Sequence, residues 1–207
     1  MTAAEKLAEA YRHLGRVGLI HGNTGNVSVR TEDGMLISPT GTTPERITPE
    51  LIVAMGLDQP APRASSEWAL HAAVYREHPA IGAIVHTHAD ACTALACLGL
   101  SLPAFHYSVA LFGGDDVRCA PYVTFGTPEL AAAAAEAMRG GRTACLLANH
   151  GMIAAGKSLD AAVAAAENLE RLCRQYLLAR SAGEPRLLTP DEMQAAHARY
   201  RTYQKAG

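Results

Sequence analysis

The sequence has no clear excess of either charge and no long apolar run. Its 18 Lys and Arg residues are balanced by 20 Asp and Glu residues, which gives a formal net charge of −2. Without a basic excess, the chain shows no pattern for binding nucleic acid or an anionic membrane surface. No apolar stretch approaches the roughly 20 residues that a membrane-spanning helix needs. We therefore expect neither a nucleic-acid partner nor a membrane partner.

Cysteine is also scarce, and its spacing excludes two common roles. The five cysteines are odd in number and contain no C-x-x-C pair. This pattern favours reduced thiols over a disulfide framework, and it gives no support for a sulfur-rich zinc site. The N-terminus is charged and amphipathic, unlike a signal peptide. These features predict a soluble cytoplasmic protein.

The pattern of apolar residues predicts an α/β fold. With 207 residues, 49 % of them hydrophobic, the chain is expected to form one domain over residues 1–207. Strand candidates occur as hairpins, with helices between or after them, which predicts a sandwich around a largely antiparallel central sheet. The predicted helix starts are Thr2 with Glu5 in a capping box, Ser65 and Ser66, Thr127, Ser158, and Thr189 with Glu192.

Two histidines at the end of a predicted buried strand are the strongest chemical signal. His86 and His88 stand two residues apart in IGAIVHTHADA, and His150 stands in LLANHGM. Positions i and i+2 of a strand share a face, so His86 and His88 can project together. Two imidazoles and a third ligand can hold a divalent metal with an open coordination position. For an isolated pair, hydrogen-bonded histidines are the simpler interpretation.

Three known classes of metal-binding protein share this short motif but fit the chain poorly. HTHAD begins like the H-x-H-x-D motif of β-lactamase-like hydrolases, but Ala91 occupies the position of their next histidine. The H-x-H motif also occurs in amidohydrolases, but the chain is shorter than the roughly 250 residues of the (β/α)₈ barrel that those enzymes form. Cupins are all-β proteins, whereas several stretches here have helical periodicity.

Several polar segments are candidates for binding an anion. Ser65 and Ser66 precede Glu67 at a predicted helix start, where free backbone N–H groups favour a phosphate, although taken alone these serines are more simply interpreted as a plain helix cap. Gly25-Asn26 and Thr40-Gly41 are candidate anion-binding loops or simple turns.

The order of these segments resembles that of one known family. GNTGNVSVR, GMLISPTG, SSEWALH, AIVHTHADACT, PAFHY, CAPYVTFGTPEL and LLANHGMIAAG follow one another as in the class II aldolase/adducin family. The resemblance extends to RYRTYQ near the C-terminus, and it is greatest to members that act on L-fuculose 1-phosphate. It implies a single-domain α/β/α sandwich and a homotetramer with active sites at subunit interfaces.

The resemblance also implies roles for individual residues. His86, His88 and His150 correspond to zinc ligands, and Glu67 to a catalytic acid/base that can also approach the zinc. Mn²⁺ and Co²⁺ are alternatives to Zn²⁺. Tyr107 corresponds to a tyrosine that protonates the aldehyde oxygen during synthesis. The residues implied to bind phosphate are Asn26, Thr40, Gly41, Ser65 and Ser66, and those implied to handle the aldehyde are Phe125 and Tyr203.

The implied activity is cleavage of a ketose 1-phosphate into dihydroxyacetone phosphate and an aldehyde. L-fuculose 1-phosphate and a deoxy- or methylthio-pentulose 1-phosphate are the expected substrates. A sugar-phosphate 4-epimerase, a 3-oxo-tetronate phosphate decarboxylase and a non-catalytic adducin-like binding protein are the alternatives. The three lysines, none in a predicted buried strand, disfavour a Schiff-base mechanism. Asn149 stands directly before the implied zinc ligand His150, at a position where a related aldolase of the family has a second histidine.

Overall fold

Seven strands form one open sheet with helices on both faces in the computed structural model, which describes the backbone of residues 1–203 and the side chains of residues 1–202. The strand order is β3-β2-β1-β4-β7-β6-β5, and all neighbours are antiparallel except β5 and β6. The predicted largely antiparallel sandwich is confirmed. The strands are β1 (Asn26–Thr31), β2 (Gly34–Ile37), β3 (Val53–Met55), β4 (Ala83–Thr87), β5 (Cys119–Ala120), β6 (Ala144–Leu147) and β7 (Gly151–Gly156).

Helices cover the sheet unequally. One face packs against two helices and the other against three, and each face buries its own apolar core. No helix in the described part of the chain is both long enough and apolar enough to span a membrane. The helices are α1 (Ala3–Arg16), α2 (Trp68–Glu77), α3 (Asp90–Cys97), α4 (Pro128–Ala137), α5 (Leu159–Ala182) and α6 (Pro190–Tyr203), and 3₁₀ turns occur at Pro49–Leu51 and Tyr107–Phe112.

The alternation of side chains along β4 decides where His86 points. Ala83 and Val85 belong to the core beneath α1, α3 and α5, whereas Ile84 belongs to the core beneath α2 and α4. Because side chains of a strand alternate between faces, His86 continues the face of Ile84. The C-terminal end of β4 therefore presents its histidine on the α2 side of the sheet.

Most of the predicted helix caps are present, but one is wrong. Thr2 and Glu5 exchange both hydrogen bonds of a capping box, and Thr127 and Ser158 cap α4 and α5. The serines before α2 do not cap it, because the N-cap residue is Glu67 and it makes no side-chain capping bond.

Ser65 does not cap α2 because it takes part in a turn that precedes this helix. The backbone N–H of Trp68 donates to the carbonyl oxygen of Ser65 over 3.1 Å, and the N–H of Glu67 donates to the Ser65 hydroxyl over 3.3 Å. The turn uses the Ser65 side chain locally and leaves the Glu67 carboxylate free to face the histidines.

Candidate metal centre and active site

Three histidines and one glutamate converge from separate parts of the chain. His86 lies in β4 and His88 directly follows it, His150 lies in the turn between β6 and β7, and Glu67 stands at the start of α2. One potential ligand atom of each residue lies within 4.8 Å of the others. Imidazole nitrogens and a carboxylate oxygen are ligands typical of zinc and related divalent ions.

The imidazole rings face one another edge to face. Their centroids are 5.1 Å apart for His86 and His88, 4.9 Å for His86 and His150, and 4.8 Å for His88 and His150. The Nε2 atoms of His86 and His88 are 3.2 Å apart. At such a separation the two nitrogens are suited to share one ion.

Glu67 completes the cluster with both carboxylate oxygens. Oε2 lies 2.9 Å from Nε2 of His86, and Oε1 lies 3.3 Å from Nε2 of His150. Within the described part of the chain, the buried Oε1 has no hydrogen-bond donor. A buried carboxylate oxygen without a donor is costly, so a cation among these four residues fits the donor set.

The protonation of the cluster also suits a metal. Burial opposes ionisation of Glu67, but His86, His150 and the Asn26 amide outweigh it and hold its pKa below the usual range. Burial lowers the pKa of His88 and of His150 to about 4, so both imidazoles are neutral at neutral pH. Neutral imidazoles can coordinate a metal. Burial also opposes charging of His86, but the Glu67 carboxylate outweighs it and raises the pKa of His86.

A cavity of about 320 Å³ opens beside this cluster. Glu67, His88 and His150 form part of its wall, while His86 is fully buried behind them. The cavity brings together nearly all residues that the sequence predicted for phosphate and aldehyde binding. Those residues are Asn26, Thr40, Gly41, Ser65, Ser66 and Phe125.

The polar side of the cavity offers neutral donors. Thr40 and Ser66 are exposed, and the Ser65 hydroxyl accepts the N–H of Glu67, which leaves its own hydrogen free. Among the described residues that line the cavity there is neither lysine nor arginine. Hydroxyl and amide donors can hold a phosphate without adding net positive charge.

Asn26 has a second set of partners that the sequence did not indicate. Its side chain is buried, with Nδ2 donating to Oε2 of Glu67 over 3.3 Å and Oδ1 accepting from Nε2 of His71. Since an amide nitrogen carries two hydrogens, one remains for the cavity. Asn26 therefore contacts the candidate acid/base as well as the predicted phosphate region.

Two predicted site residues are not part of this cavity. Tyr107 begins the second 3₁₀ turn, is 56 % exposed, and lines a separate cavity with Ala196, Arg199 and Tyr200. The Tyr203 side chain lies outside the described residues. A role for Tyr107 at the histidine cluster would therefore require another subunit.

Sequence reasoning missed two kinds of residue. Tyr122 and Val123 line the cavity, and the exposed aromatics Tyr122 and Phe125 in PYVTFG could have indicated a cavity mouth. His71 was also missed, although it stands four residues after Glu67. That spacing places both residues on one face of a helix.

Comparison with known proteins agrees with this geometry. A family model described as class II aldolase and adducin N-terminal domain matches residues 5–177. The chain is 46 % identical over 200 residues to the 5-methylthioribulose-1-phosphate/5-deoxyribulose-1-phosphate aldolase of Rhodospirillum rubrum, covering 95 % of this chain and 90 % of that protein. It is 40 % identical over 204 residues to the L-fuculose phosphate aldolase of Escherichia coli K12, covering 97 % and 94 %.

The structural comparison points the same way. A solved structure of an L-fuculose 1-phosphate aldolase superposes with a TM-score of 0.91 at 37 % identity, covering 97 % of this chain and 98 % of that chain. The fold is thus that of the single-domain class II aldolases, and the whole sheet and the His/Glu cluster lie within residues 5–177, which the family model matches. On sequence, fold and site together, the chain belongs to the class II aldolase and adducin family.

Proposed function

We propose that this protein is a divalent-metal-dependent aldolase that cleaves a ketose 1-phosphate into dihydroxyacetone phosphate and an aldehyde. The observation that carries the proposal is the placement of a His₃Glu cluster beside a cavity whose other wall offers neutral phosphate donors. A non-catalytic adducin-like binding role does not account for four convergent metal-ligating side chains.

His86, His88 and His150 would hold the ion, with Glu67 as a further ligand when substrate is absent. We propose Zn²⁺, with Mn²⁺ and Co²⁺ as alternatives. Imidazoles ligate in their neutral form, so three of them would leave the charge of the ion undiminished, and the bound ion would supply a Lewis acid for the oxygens of the substrate.

Glu67 would carry the proton at the carbon that cleavage releases as part of dihydroxyacetone phosphate. Its carboxylate is buried, ionised and at the wall of the cavity, so it can take a proton in synthesis and return one in cleavage. The Asn26 amide, 3.3 Å from Oε2, holds it in place.

Tyr107 would act on the hydroxyl at the other side of the scissile bond, from a neighbouring subunit. Its ring is 56 % exposed, and the aromatics Tyr122 and Phe125 at the cavity are also exposed, at 64 % and 68 %. Exposed aromatics are typical of interfaces. We therefore propose a homotetramer in which each cavity is completed by Tyr107 of an adjacent copy, with Tyr203 handling the aldehyde.

The substrate phosphate would be bound by the hydroxyls of Thr40, Ser65 and Ser66 and by the loops at Asn26 and Gly41. The aldehyde part would lie toward Phe125. The relatives named above act on L-fuculose phosphate or on 5-methylthioribulose and 5-deoxyribulose 1-phosphates. These three ketose 1-phosphates are the substrates that we propose to test.

The test is a coupled assay in which glycerol-phosphate dehydrogenase reports dihydroxyacetone phosphate. The three ketose 1-phosphates are compared with ribulose 5-phosphate and a 3-oxo-tetronate phosphate, which are substrates for epimerisation and decarboxylation. Release of dihydroxyacetone phosphate from at least one ketose 1-phosphate is expected. Because decarboxylation of a 3-oxo-tetronate phosphate also yields dihydroxyacetone phosphate, the substrate decides the outcome. Epimerisation of ribulose 5-phosphate or decarboxylation of the 3-oxo-tetronate phosphate, with no dihydroxyacetone phosphate from any of the three ketose 1-phosphates, would overturn the aldolase proposal.

A further inference from the structure

A buried chain of hydrogen bonds extends from Glu67 into the layer between α2 and the sheet. Beyond Asn26, Nδ1 of His71 lies 2.7 Å from the Ser28 hydroxyl, which lies 2.8 Å from the hydroxyl of Tyr75. Ser28 and His71 are fully buried, and Tyr75 is 1 % exposed. The proposed phosphate and metal contacts use none of these three residues.

The chemistry of the groups fixes the direction of the chain. A carboxylate only accepts, so Asn26 must present Nδ2 to Glu67 and Oδ1 to His71. His71 must then carry its hydrogen on Nε2. Because complete burial favours the neutral ring, Nδ1 accepts from Ser28. The Ser28 oxygen in turn accepts from Tyr75.

Arg30 holds Tyr75, the residue at the far end of this chain of hydrogen bonds. The Arg30 guanidinium lies 4.5 Å from the centroid of the Tyr75 ring, and it also donates to the carbonyl oxygens of Tyr75 and His78. Burial raises the pKa of Tyr75, so its hydroxyl keeps the hydrogen that it donates. Each hydrogen bond from Oε2 of Glu67 to the hydroxyl of Tyr75 therefore joins a donor to an acceptor.

We propose that His71 is a positioning residue for catalysis, whose Nε2–H fixes the Asn26 amide so that its NH₂ group faces the Glu67 carboxylate and the cavity. This inference rests on the proposed aldolase function. Without the His71 donor, the amide could rotate and place its carbonyl oxygen against the carboxylate, which would displace Glu67. Small displacements of a catalytic group lower kcat strongly.

A matched pair of substitutions separates this role from simple packing. In His71→Gln the side-chain amide nitrogen can reach the position of Nε2, so it can still donate to Asn26. In His71→Asn the shorter side chain reaches only the position of Nδ1 and loses that donor. We expect His71→Gln to retain kcat within about threefold and His71→Asn to lose at least about tenfold, with unchanged metal content.

Ser28→Ala provides a smaller change in case either histidine variant does not fold. It removes the hydroxyl that keeps the hydrogen of His71 on Nε2, and we expect kcat to fall severalfold. In Tyr75→Phe, Ser28 can still donate to His71, so kcat should remain close to that of the wild type.

The outcomes are distinct. Equal kcat values for folded His71→Gln and His71→Asn, or an unchanged kcat in folded Ser28→Ala, would overturn the positioning role. The wild-type protein in the same assay reports on the aldolase function itself. A wild-type protein without aldolase activity would reject the proposed function. An active wild type with equal kcat values for His71→Gln and His71→Asn would reject only the inference about His71.

Discussion

The Nδ1 atom of His86 lies 2.9 Å from the carbonyl oxygen of Met152 in the neighbouring strand. The bond follows from the antiparallel register of β4 and β7, in which Thr87 pairs with Met152 and His86 with Ile153. A carbonyl accepts only, so Nδ1 carries a hydrogen, and Nε2, which faces Glu67 and His88, is the nitrogen that would bind a metal. The sheet thus sets the tautomer of a proposed metal ligand.

His88→Ala should remove the metal and the activity together, because His88 directly faces Nε2 of His86 across 3.2 Å. Elemental analysis gives metal per protomer, and the coupled assay gives kcat. His13→Ala is the matched control, since His13 lies on α1 and pairs with Glu167 away from the cluster. Full metal occupancy in His88→Ala would contradict its assignment as a ligand.

Glu67→Gln should keep the metal held by three histidines but lose the chemical step, because an amide cannot carry the proton. We expect kcat to fall by at least about a hundredfold. Glu77→Gln at the exposed end of α2 is the control and should be neutral. A Glu67→Gln rate within about tenfold of the wild type, roughly 1.4 kcal/mol, would remove Glu67 from the acid/base role.

Asn149 should matter through its backbone conformation. It adopts φ +55° immediately before His150, a left-handed conformation that asparagine and glycine tolerate and β-branched residues do not. Asn149→Val should therefore cost about 1–2 kcal/mol of stability and weaken metal binding, while Asn149→Gly should not. Thermal unfolding and metal titration measure both effects. Equal metal affinity in the two variants would show that the turn does not position His150.

Removal of the metal should lower the unfolding temperature, since an ion that binds only the folded state stabilises it. At a free metal concentration a thousandfold above Kd, the gain is about 4 kcal/mol. Calorimetry before and after chelation, and after addition of Zn²⁺, measures the shift. Since Oε1 of Glu67 is otherwise without a donor in the described residues, an unchanged unfolding temperature would argue against a metal in this cluster.

Tyr107 and Glu67 should complement each other between subunits. Tyr107→Phe and Glu67→Gln are each expected to be nearly inactive, but mixed assemblies of the proposed homotetramer would contain sites with both native residues. Random mixing of subunits from equal amounts of the two variants should restore about a quarter of the wild-type activity. Activity no greater than the sum of the two variants would place Tyr107 outside the neighbouring site.

The sequence predicted those features that depend on local rules. Strand alternation was sufficient to place His86 and His88 together, and capping chemistry was sufficient to locate the starts of α1, α4 and α5. It mistook Ser65 and Ser66 for the cap of α2, because a serine before a helix can form either a capping bond or a local turn, and here Ser65 forms a turn with Glu67 and Trp68.

The features that it missed depend on tertiary pairing. The hydrogen bonds from Glu67 through Asn26 to His71 form because β1 lies against α2, two elements about 40 residues apart in the sequence. Spacing along the sequence cannot specify such a contact. Tyr107 lies outside the cavity of its own chain, so its proposed role depends on an assembly of copies, which local sequence patterns also do not specify.

The central claim is tested most directly by measuring the dihydroxyacetone phosphate released from L-fuculose 1-phosphate and from 5-deoxyribulose 1-phosphate. One preparation of the protein is compared in its metal-loaded state, after chelation and after Zn²⁺ is restored. A metal-dependent aldolase built on His86, His88, His150 and Glu67 should release one dihydroxyacetone phosphate per ketose phosphate consumed, lose that activity on chelation and regain it with Zn²⁺. Release that is unaffected by complete removal of the metal, or no release from either ketose in the loaded state, would contradict the account.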